Sequence, residues 1–171
     1  GLAAGRSISV KVRVNADPTQ TVEMVKRFAA TGVDWITVHG RTPSQKPSDP
    51  VDFEQIKLVR ESLCIPVIAN GNVFTVEDAD CIHTQTGVQG VMAARGLLKN
   101  PALFQPQPTA KLLAEWIELA LAYGLPTPLI HHQVVEICDG WLEPWEHRRL
   151  TGMANASLPA LLDFFSQINL H

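Results

Sequence analysis

The sequence predicts an α/β fold: a parallel sheet built from consecutive strand–helix units, with a small all-helical domain after it. Three observations carry this reading. Short β-branched runs alternate with helical patterns from residue 8 to about 105, as in βα units that pair in parallel. The helical stretches open on capping residues or prolines, and most end close to a glycine. Beyond Phe104 no further strand is evident, and leucine and aromatic residues recur at helical spacing instead.

The first strand, residues 8–14, alternates strictly. Val10, Val12 and Val14 share the face expected to pack on helices, and Lys11 and Arg13 share the other. Asp17 is expected to cap the next helix, with Pro18 at its first position. Val22, Val25, Phe28 and Ala29 give that helix its apolar face, and Gly32 ends it. The second strand, residues 35–40, leads into a proline-containing loop, residues 41–50. Asp52 then caps a helix that buries Phe53, Ile56 and Val59. The third strand is residues 66–70. Thr75 and Asp78 form a capping-box pattern for a helix running to about Gln85, before Gly87. The fourth strand is residues 90–94, and Asn100-Pro101 is expected to open a short helix.

Four consecutive βα units imply right-handed crossovers. A complete (β/α)8 barrel takes about 250 residues, and only four such units are present here. Gln105-Pro106-Gln107-Pro108 reads as a linker between domains 1–105 and 106–171. Thr109 is expected to cap a helix with Leu112, Leu113, Trp116 and Leu119 on one side, closed by Gly124. Further helices are expected near 129–139 and 144–154, and a last one after Ser157 carries Leu161, Leu162, Phe165 and Ile168.

Composition narrows the class. A chain that is 46% hydrophobic and 18% charged is globular, which excludes long disorder and fibrous repeats. No apolar run approaches the ~18 residues of a membrane span, and Arg6 and Lys11 interrupt any signal-like start. Three scattered cysteines, Cys64, Cys81 and Cys138, without a CxxC pair, suggest reduced thiols and a cytoplasmic setting. The net charge of -3 does not advertise nucleic-acid binding, so an RNA partner would have to meet a local basic patch.

Candidate chemistry gathers at strand ends. Lys11, turned away from the helices, needs an anionic or carbonyl partner, either a ligand or an internal ion pair. His39 ends the second strand and Arg41 follows it, at the end of the sheet where barrel active sites are built. Asn70-Gly71-Asn72 and Ala94-Arg95-Gly96 place glycine after an apolar strand at the mouth of a helix. There backbone N–H groups can approach an anion and Arg95 can add a bidentate cation, so the pair favours phosphate binding. His131, His132 and Cys138 lack any standard zinc spacing.

These segments carry a resemblance. Ser9-Val10-Lys11-Val12-Arg13, Ile36-Thr37-Val38-His39-Gly40-Arg41-Thr42, Ile65-Pro66-Val67-Ile68-Ala69-Asn70-Gly71 and Gly90-Val91-Met92-Ala93-Ala94-Arg95-Gly96, with Asn100-Pro101, resemble the tRNA-dihydrouridine synthases in order and spacing. The resemblance covers residues 8–105 and points to the branch that modifies adjacent D-loop uridines. The tail, from Trp116 through His131-His132 to Arg148-Arg149, is more loosely similar to that family's helical tRNA-binding domain.

The resemblance implies the C-terminal half of a TIM barrel, strands five to eight, as a partial FMN-binding domain followed by the helical tRNA-binding domain. It implies an oxidoreductase, a flavoprotein that uses NADPH as reductant to reduce the uracil 5,6 double bond in tRNA. Lys11 would meet the isoalloxazine N1/O2 edge, and His39 would also touch the flavin. Asn70, Gly71, Asn72, Ala94, Arg95 and Gly96 would hold the ribityl chain and phosphate. Arg41 and, in the tail, His147, Arg148 and Arg149 are the expected contacts to tRNA, with a solvated helix face as the plain alternative for the last three.

Two departures stand out. The family usually has Asp where this chain has Asn72. Its catalytic cysteine lies in an Asn-x-Gly-Cys-Pro segment that does not occur here, so no catalytic residue is assigned and the isolated chain is expected to be an inactive C-terminal portion. Another FMN-dependent barrel oxidoreductase and a non-catalytic tRNA-binding remnant are the competing readings. The unpaired outer strands of a half barrel also lead us to expect self-association.

Overall fold

The computed structural model describes residues 5–105 and 107–168. Pro106, in the expected linker, lies outside the described residues. The chain divides into two compact units, Gly1–Arg95 and Gly96–His171.

The first unit alternates β1 (Ser9–Arg13), α1 (Pro18–Ala29), β2 (Trp35–His39), α2 (Phe53–Ser62), β3 (Val67–Asn70), α3 (Val76–Thr86) and β4 (Gly90–Met92). All strand pairs are parallel, in the order β1-β2-β3-β4. Sequential order with right-handed crossovers sends every connecting helix to one face of the sheet. Accordingly α1 packs on α2 and α2 on α3. Ile36, Val38, Val67 and Ala69 turn to that layer and are buried with Val25, Ile56 and Val59. Val14 is also buried, whereas Lys11 and Arg13 alternate to the exposed side. The face that carries Lys11, Arg13, His39 and Ile68 has no helical layer from this unit.

The caps expected in the first unit form. The Asp17 carboxylate accepts the Thr19 N–H at 2.8 Å, and that of Asp52 accepts the Gln55 N–H at 2.8 Å. Thr75 and Asp78 exchange reciprocal bonds at 3.1 and 3.0 Å, and Gly87 closes α3 with φ +67°. Each such cap contributes about 1 kcal/mol by supplying an acceptor to an otherwise unpaired N–H.

The second unit holds most of α4 (Arg95–Lys99), then α5 (Thr109–Ala122), α6 (Thr127–Cys138), α7 (Pro144–Thr151) and α8 (Leu158–Gln167). Leu112, Leu113, Ile130, Val134, Leu150 and Leu161 form its core, with Phe164 and Phe165 edge to face at 5.3 Å. Residues 96–105 belong with this unit. Ala102 packs against its core, the Leu98 carbonyl accepts Gln133 Nε2–H at 2.6 Å, and Lys99 pairs with Asp139. No helix among the described residues is long and apolar enough to cross a membrane.

Four local expectations are corrected. The last strand is shorter than residues 90–94, because Ala93 and Ala94 already leave the sheet and α4 starts at Arg95. The short helix therefore precedes Asn100-Pro101. The Asn100 side chain accepts the Ala102 N–H at 3.0 Å, which turns the chain instead of starting a helix. Thr109 is the first residue of α5 and not its cap. Pro108 holds the cap position with an extended backbone (φ -57°, ψ 136°) and no side-chain bond. α6 likewise starts two residues early, since Pro128 sits in its first turn.

Candidate functional site

Parallel register builds one row of side chains across the end of the sheet. Arg13 is paired with His39, His39 with Asn70, and Asn70 with Met92. Neighbouring strands lie about 4.8 Å apart, so these residues stand shoulder to shoulder on the face away from the helices. One step back on that face runs the row Lys11, Thr37, Ile68 and Gly90. Alternation along β1 thus delivers both of its cations to this face.

The loop after β2 brings a third cation. Arg41 is 2% exposed, the largest of the fully buried side chains. Its Nε donates to the Asp49 carbonyl at 2.6 Å and its Nη2 to Asn72 Oδ1 at 2.9 Å, while Nη1 lies 3.5 Å from His39 Nε2. A guanidinium only donates, so this long contact favours the His39 tautomer with Nε2 unprotonated. The loop is seated by close packing. A Cβ on Gly40 would come within 2.7 Å of Val51 and 2.8 Å of the Asp52 carbonyl oxygen. One on Gly71 (φ +138°) would meet Val51 at 2.9 Å and His39 at 3.4 Å.

Arg95 adds a fourth cation. It is exposed, with Nη2 at 3.4 Å from Asn72 Oδ1 and 3.5 Å from the Pro47 carbonyl, and its guanidinium lies 5.4 Å from the Phe74 ring centre. Arg13 Nη1 donates to the Thr42 carbonyl at 2.8 Å. The ion pairs among the described residues are Lys99–Asp139 and Lys111–Glu115, both in the second unit. Lys11, Arg13, Arg41 and Arg95 therefore form a cationic cluster with no carboxylate in ion-pair contact among the described residues, although the Asp49 charge partly offsets that of Arg41.

Electrostatics follow from this crowding. Burial and, after it, the charges of Arg13, Arg41, Lys11 and Arg95 lower the His39 pKa to about 4, so its imidazole is neutral at pH 7. Burial and the neighbouring Arg95 also lower the Arg41 pKa, with Asp49 partly opposing. The folded His39 pKa lies below the ordinary 6.5, so the unfolded chain binds more protons between those values. The His39 contribution to stability is thus fully present above pH 6.5 and is lost as pH falls towards 4. Urea midpoints should decline over that window, and His39→Gln should decline less steeply.

The structure brings together Lys11, His39, Arg41, Asn70, Asn72 and Arg95 from the sequence reading, and adds Arg13 to them. Alternation in Lys11-Val12-Arg13 was the signal for Arg13. Asn70 is mostly buried and spends its Nδ2 on the Met92 carbonyl at 2.7 Å, tying β3 to β4. Ala94 is exposed and Gly96 buried. In the second unit, His147 Nε2 lies 3.1 Å from the Val135 carbonyl oxygen. Arg149 stacks 5.4 Å from the Phe164 ring centre and donates to Gln167 at 3.2 Å, and Arg148 is exposed. His131 is buried with Nε2 at 2.8 Å from the Leu150 carbonyl oxygen, His132 is exposed, and burial pushes the Cys138 thiol up to about 12. No group of three or more potential metal ligands occurs among the described residues.

Comparison with known proteins places these residues in context. A family model described as dihydrouridine synthase matches residues 3–119. A human tRNA-dihydrouridine(20a/20b) synthase-like protein is 36% identical over 164 residues, 95% of this chain and 51% of the relative. The Saccharomyces cerevisiae tRNA-dihydrouridine(20a/20b) synthase is 40% identical over 133 residues, 74% of this chain and 36% of the relative. A mouse tRNA-dihydrouridine(16/17) synthase-like protein is 33% identical, covering 82% of this chain and 29% of the relative. All three names carry NAD(P)+. The chain spans about half or less of the length of these relatives. Among solved structures, mandelate oxidase with benzaldehyde matches 95% of this chain and 55% of its own at 14% identity and a TM-score of 0.43, a likeness that carries no argument.

Proposed function

Because this chain belongs to the dihydrouridine synthase family, we propose that it is part of an FMN-dependent enzyme that reduces the uracil 5,6 double bond of D-loop uridines in tRNA with NADPH. The observation that carries this reading is the cationic cluster at the strand ends. Its donor set suits a phosphorylated flavin: an exposed guanidinium, a buried one, an exposed lysine and a neutral imidazole, without a paired carboxylate. Bound FMN would supply the hydride chemistry.

The chain's own residues hold and orient. Arg95, exposed and weakly bonded, is the cation free to take a phosphate bidentately, beside Gly71 and Gly96. Lys11 would place its charge on the electron-rich edge of the ring system. His39 presents Nδ1–H from a fixed ring, because Arg41 claims Nε2. Arg41 backs these contacts with buried charge and contributes to the attraction of an RNA phosphate. Arg148, with His147 and Arg149, is proposed as the tRNA-facing patch of a helical domain, and 1–105 as the flavin-binding part of a barrel. The free outer sides of β1 and β4 support pairing with further strands, in a completed barrel or between copies. Function on cytoplasmic tRNA follows from the same reading.

Fluorescence titration tests it. FMN should bind the chain, and Arg95→Ala should weaken FMN about tenfold, the loss of one charge-assisted pair, with riboflavin unchanged. Equal FMN affinity in the two proteins would remove Arg95 from the phosphate role.

A further inference from the structure

We propose that Gln55 is a positioning residue: its buried side-chain amide ties the loop that follows β1 to the loop that follows β2, and so sets where Arg13 stands relative to His39. The tie does not depend on the flavin reading above; only the use of FMN as a probe rests on it.

β1 stands at one end of the sheet, and the last backbone bond from its end to β2 is Val14 N–H to the His39 carbonyl at 3.1 Å. Beyond that point the chain leaves the sheet and side chains take over. Asn15 N–H donates to Thr21 Oγ1 at 2.8 Å, and the Asn15 carbonyl accepts Gln55 Nε2–H at 3.2 Å. The Thr21 hydroxyl gives its own proton to Gln55 Oε1 at 3.0 Å, which closes a ring of bonds around Asn15. Gln55 Nε2 also donates to Asp52 Oδ2 at 3.1 Å, and Asp52 N–H donates to the Gly40 carbonyl at 2.7 Å. A bonded path thus runs from the loop just beyond Arg13 to the residue between His39 and Arg41. Thr21 and Gln55 are 1% and 8% exposed, so water does not compete for these bonds.

The neighbours require an amide at this position. The Asn15 carbonyl and the Asp52 carboxylate only accept, and Thr21 Oγ1 has a proton to give. A group with two donor protons and one acceptor oxygen meets all three. Glutamate has the same shape but would turn an oxygen towards two acceptors, and methionine fills the space without bonds. On the opposite face of the sheet, Arg13 Nη1 donates to the Thr42 carbonyl at 2.8 Å. The end of β1 is therefore held against the loop after β2 from both sides, and loss of one hold lets the end of an outer strand fray.

The test compares Gln55→Met with Val59→Ala in the full chain. Val59 is buried one turn further along α2, in the layer under the sheet and outside the tie. The readout is the His39 imidazole, titrated by NMR. Burial and, after it, the Arg13 charge hold that group at about 4. Gln55→Met should raise the midpoint towards the ordinary 6.5, as water enters and Arg13 withdraws, while Val59→Ala should leave it at about 4. Thr21→Val removes the hydroxyl from the ring and keeps the shape. It should shift the midpoint in the same direction, and it replaces Gln55→Met if that variant does not fold. An unchanged His39 titration in these variants, or a shift as large in Val59→Ala, overturns the proposal. FMN affinity, read by fluorescence, should fall about threefold or more in Gln55→Met, on the scale of one lost hydrogen bond, and stay within about twofold in Val59→Ala. Equal FMN affinity in the unaltered chain and Gln55→Met overturns the proposal too. If the unaltered chain binds no FMN, the flavin reading fails, and the His39 titration alone decides the tie.

Discussion

Incubated with FMN, NADPH and unmodified tRNA, the purified chain should form dihydrouridine at least about 100-fold more slowly than a complete family enzyme, since a positioned general acid contributes roughly 10²–10⁴. Reduction of the uracil double bond needs a proton as well as a hydride. The cysteine expected to give that proton belongs to an Asn-x-Gly-Cys-Pro segment absent from these 171 residues. The three cysteines present are poor substitutes. Cys64 precedes β3 and lies at the opposite end of that strand from Asn70. Cys81 is exposed on α3, in the layer on the other face of the sheet. Cys138 is buried in the second unit, and its raised pKa keeps it a thiol. Turnover at the rate of a complete enzyme would reveal another proton donor within the chain, which Cys64→Ser and Cys81→Ser would help to locate.

Arg41→Ala should destabilise the first unit by about 2–4 kcal/mol, the combined loss of charged hydrogen bonds and of packing around a large buried side chain. Two effects oppose each other here. Removing the charge relieves its burial and its repulsion of Arg95. It also strips the Asp49 carbonyl and Asn72 Oδ1 of strong donors and empties the space beneath the loop. The second effect should win, because the burial cost is already offset in the folded chain by those bonds. Arg41→Lys should recover little, since an ammonium lacks the planar fork needed to reach both acceptors and His39 at once. Arg41→Met separates the contributions, as it fills the space without the bonds. Urea denaturation followed by circular dichroism measures all three. An Arg41→Ala midpoint equal to that of the unaltered chain would mean that the loop is held by Val51 and the glycines alone.

Local features were legible in the sequence because one residue type determines each of them. Asp17, Asp52 and the Thr75–Asp78 pair act over two or three residues of chain, and each formed as read. Strict alternation in residues 8–14 was enough to assign valines to one face and Lys11 and Arg13 to the other. What was not legible depends on chain segments that meet only after folding. Nothing local in Asn72 announces that its oxygen meets Arg41, 31 residues away, and Arg95, 23 residues away. Asn70 was read as a candidate ligand contact, and the bond from its amide to the Met92 carbonyl of the neighbouring strand had no local signal. Gly71 was read as room for an anion, and the same absence of a side chain also admits Val51. At residues 94–109 the errors were of another kind. Asn100 and Thr109 are good caps by type, yet Pro101 and Pro108 had already set the direction of the chain.

The order β1-β2-β3-β4 has a consequence for how the first unit is made. Every strand pairs with the one synthesised just before it, so no pairing waits for a distant stretch of polypeptide. Chains whose contacts are close in sequence spend little entropy on loop closure and fold fast for a parallel sheet. A new strand can add to the growing edge as soon as its helix has emerged from the ribosome, and the edge advances with translation. The order of assembly is then the order of the codons, from β1 to β4.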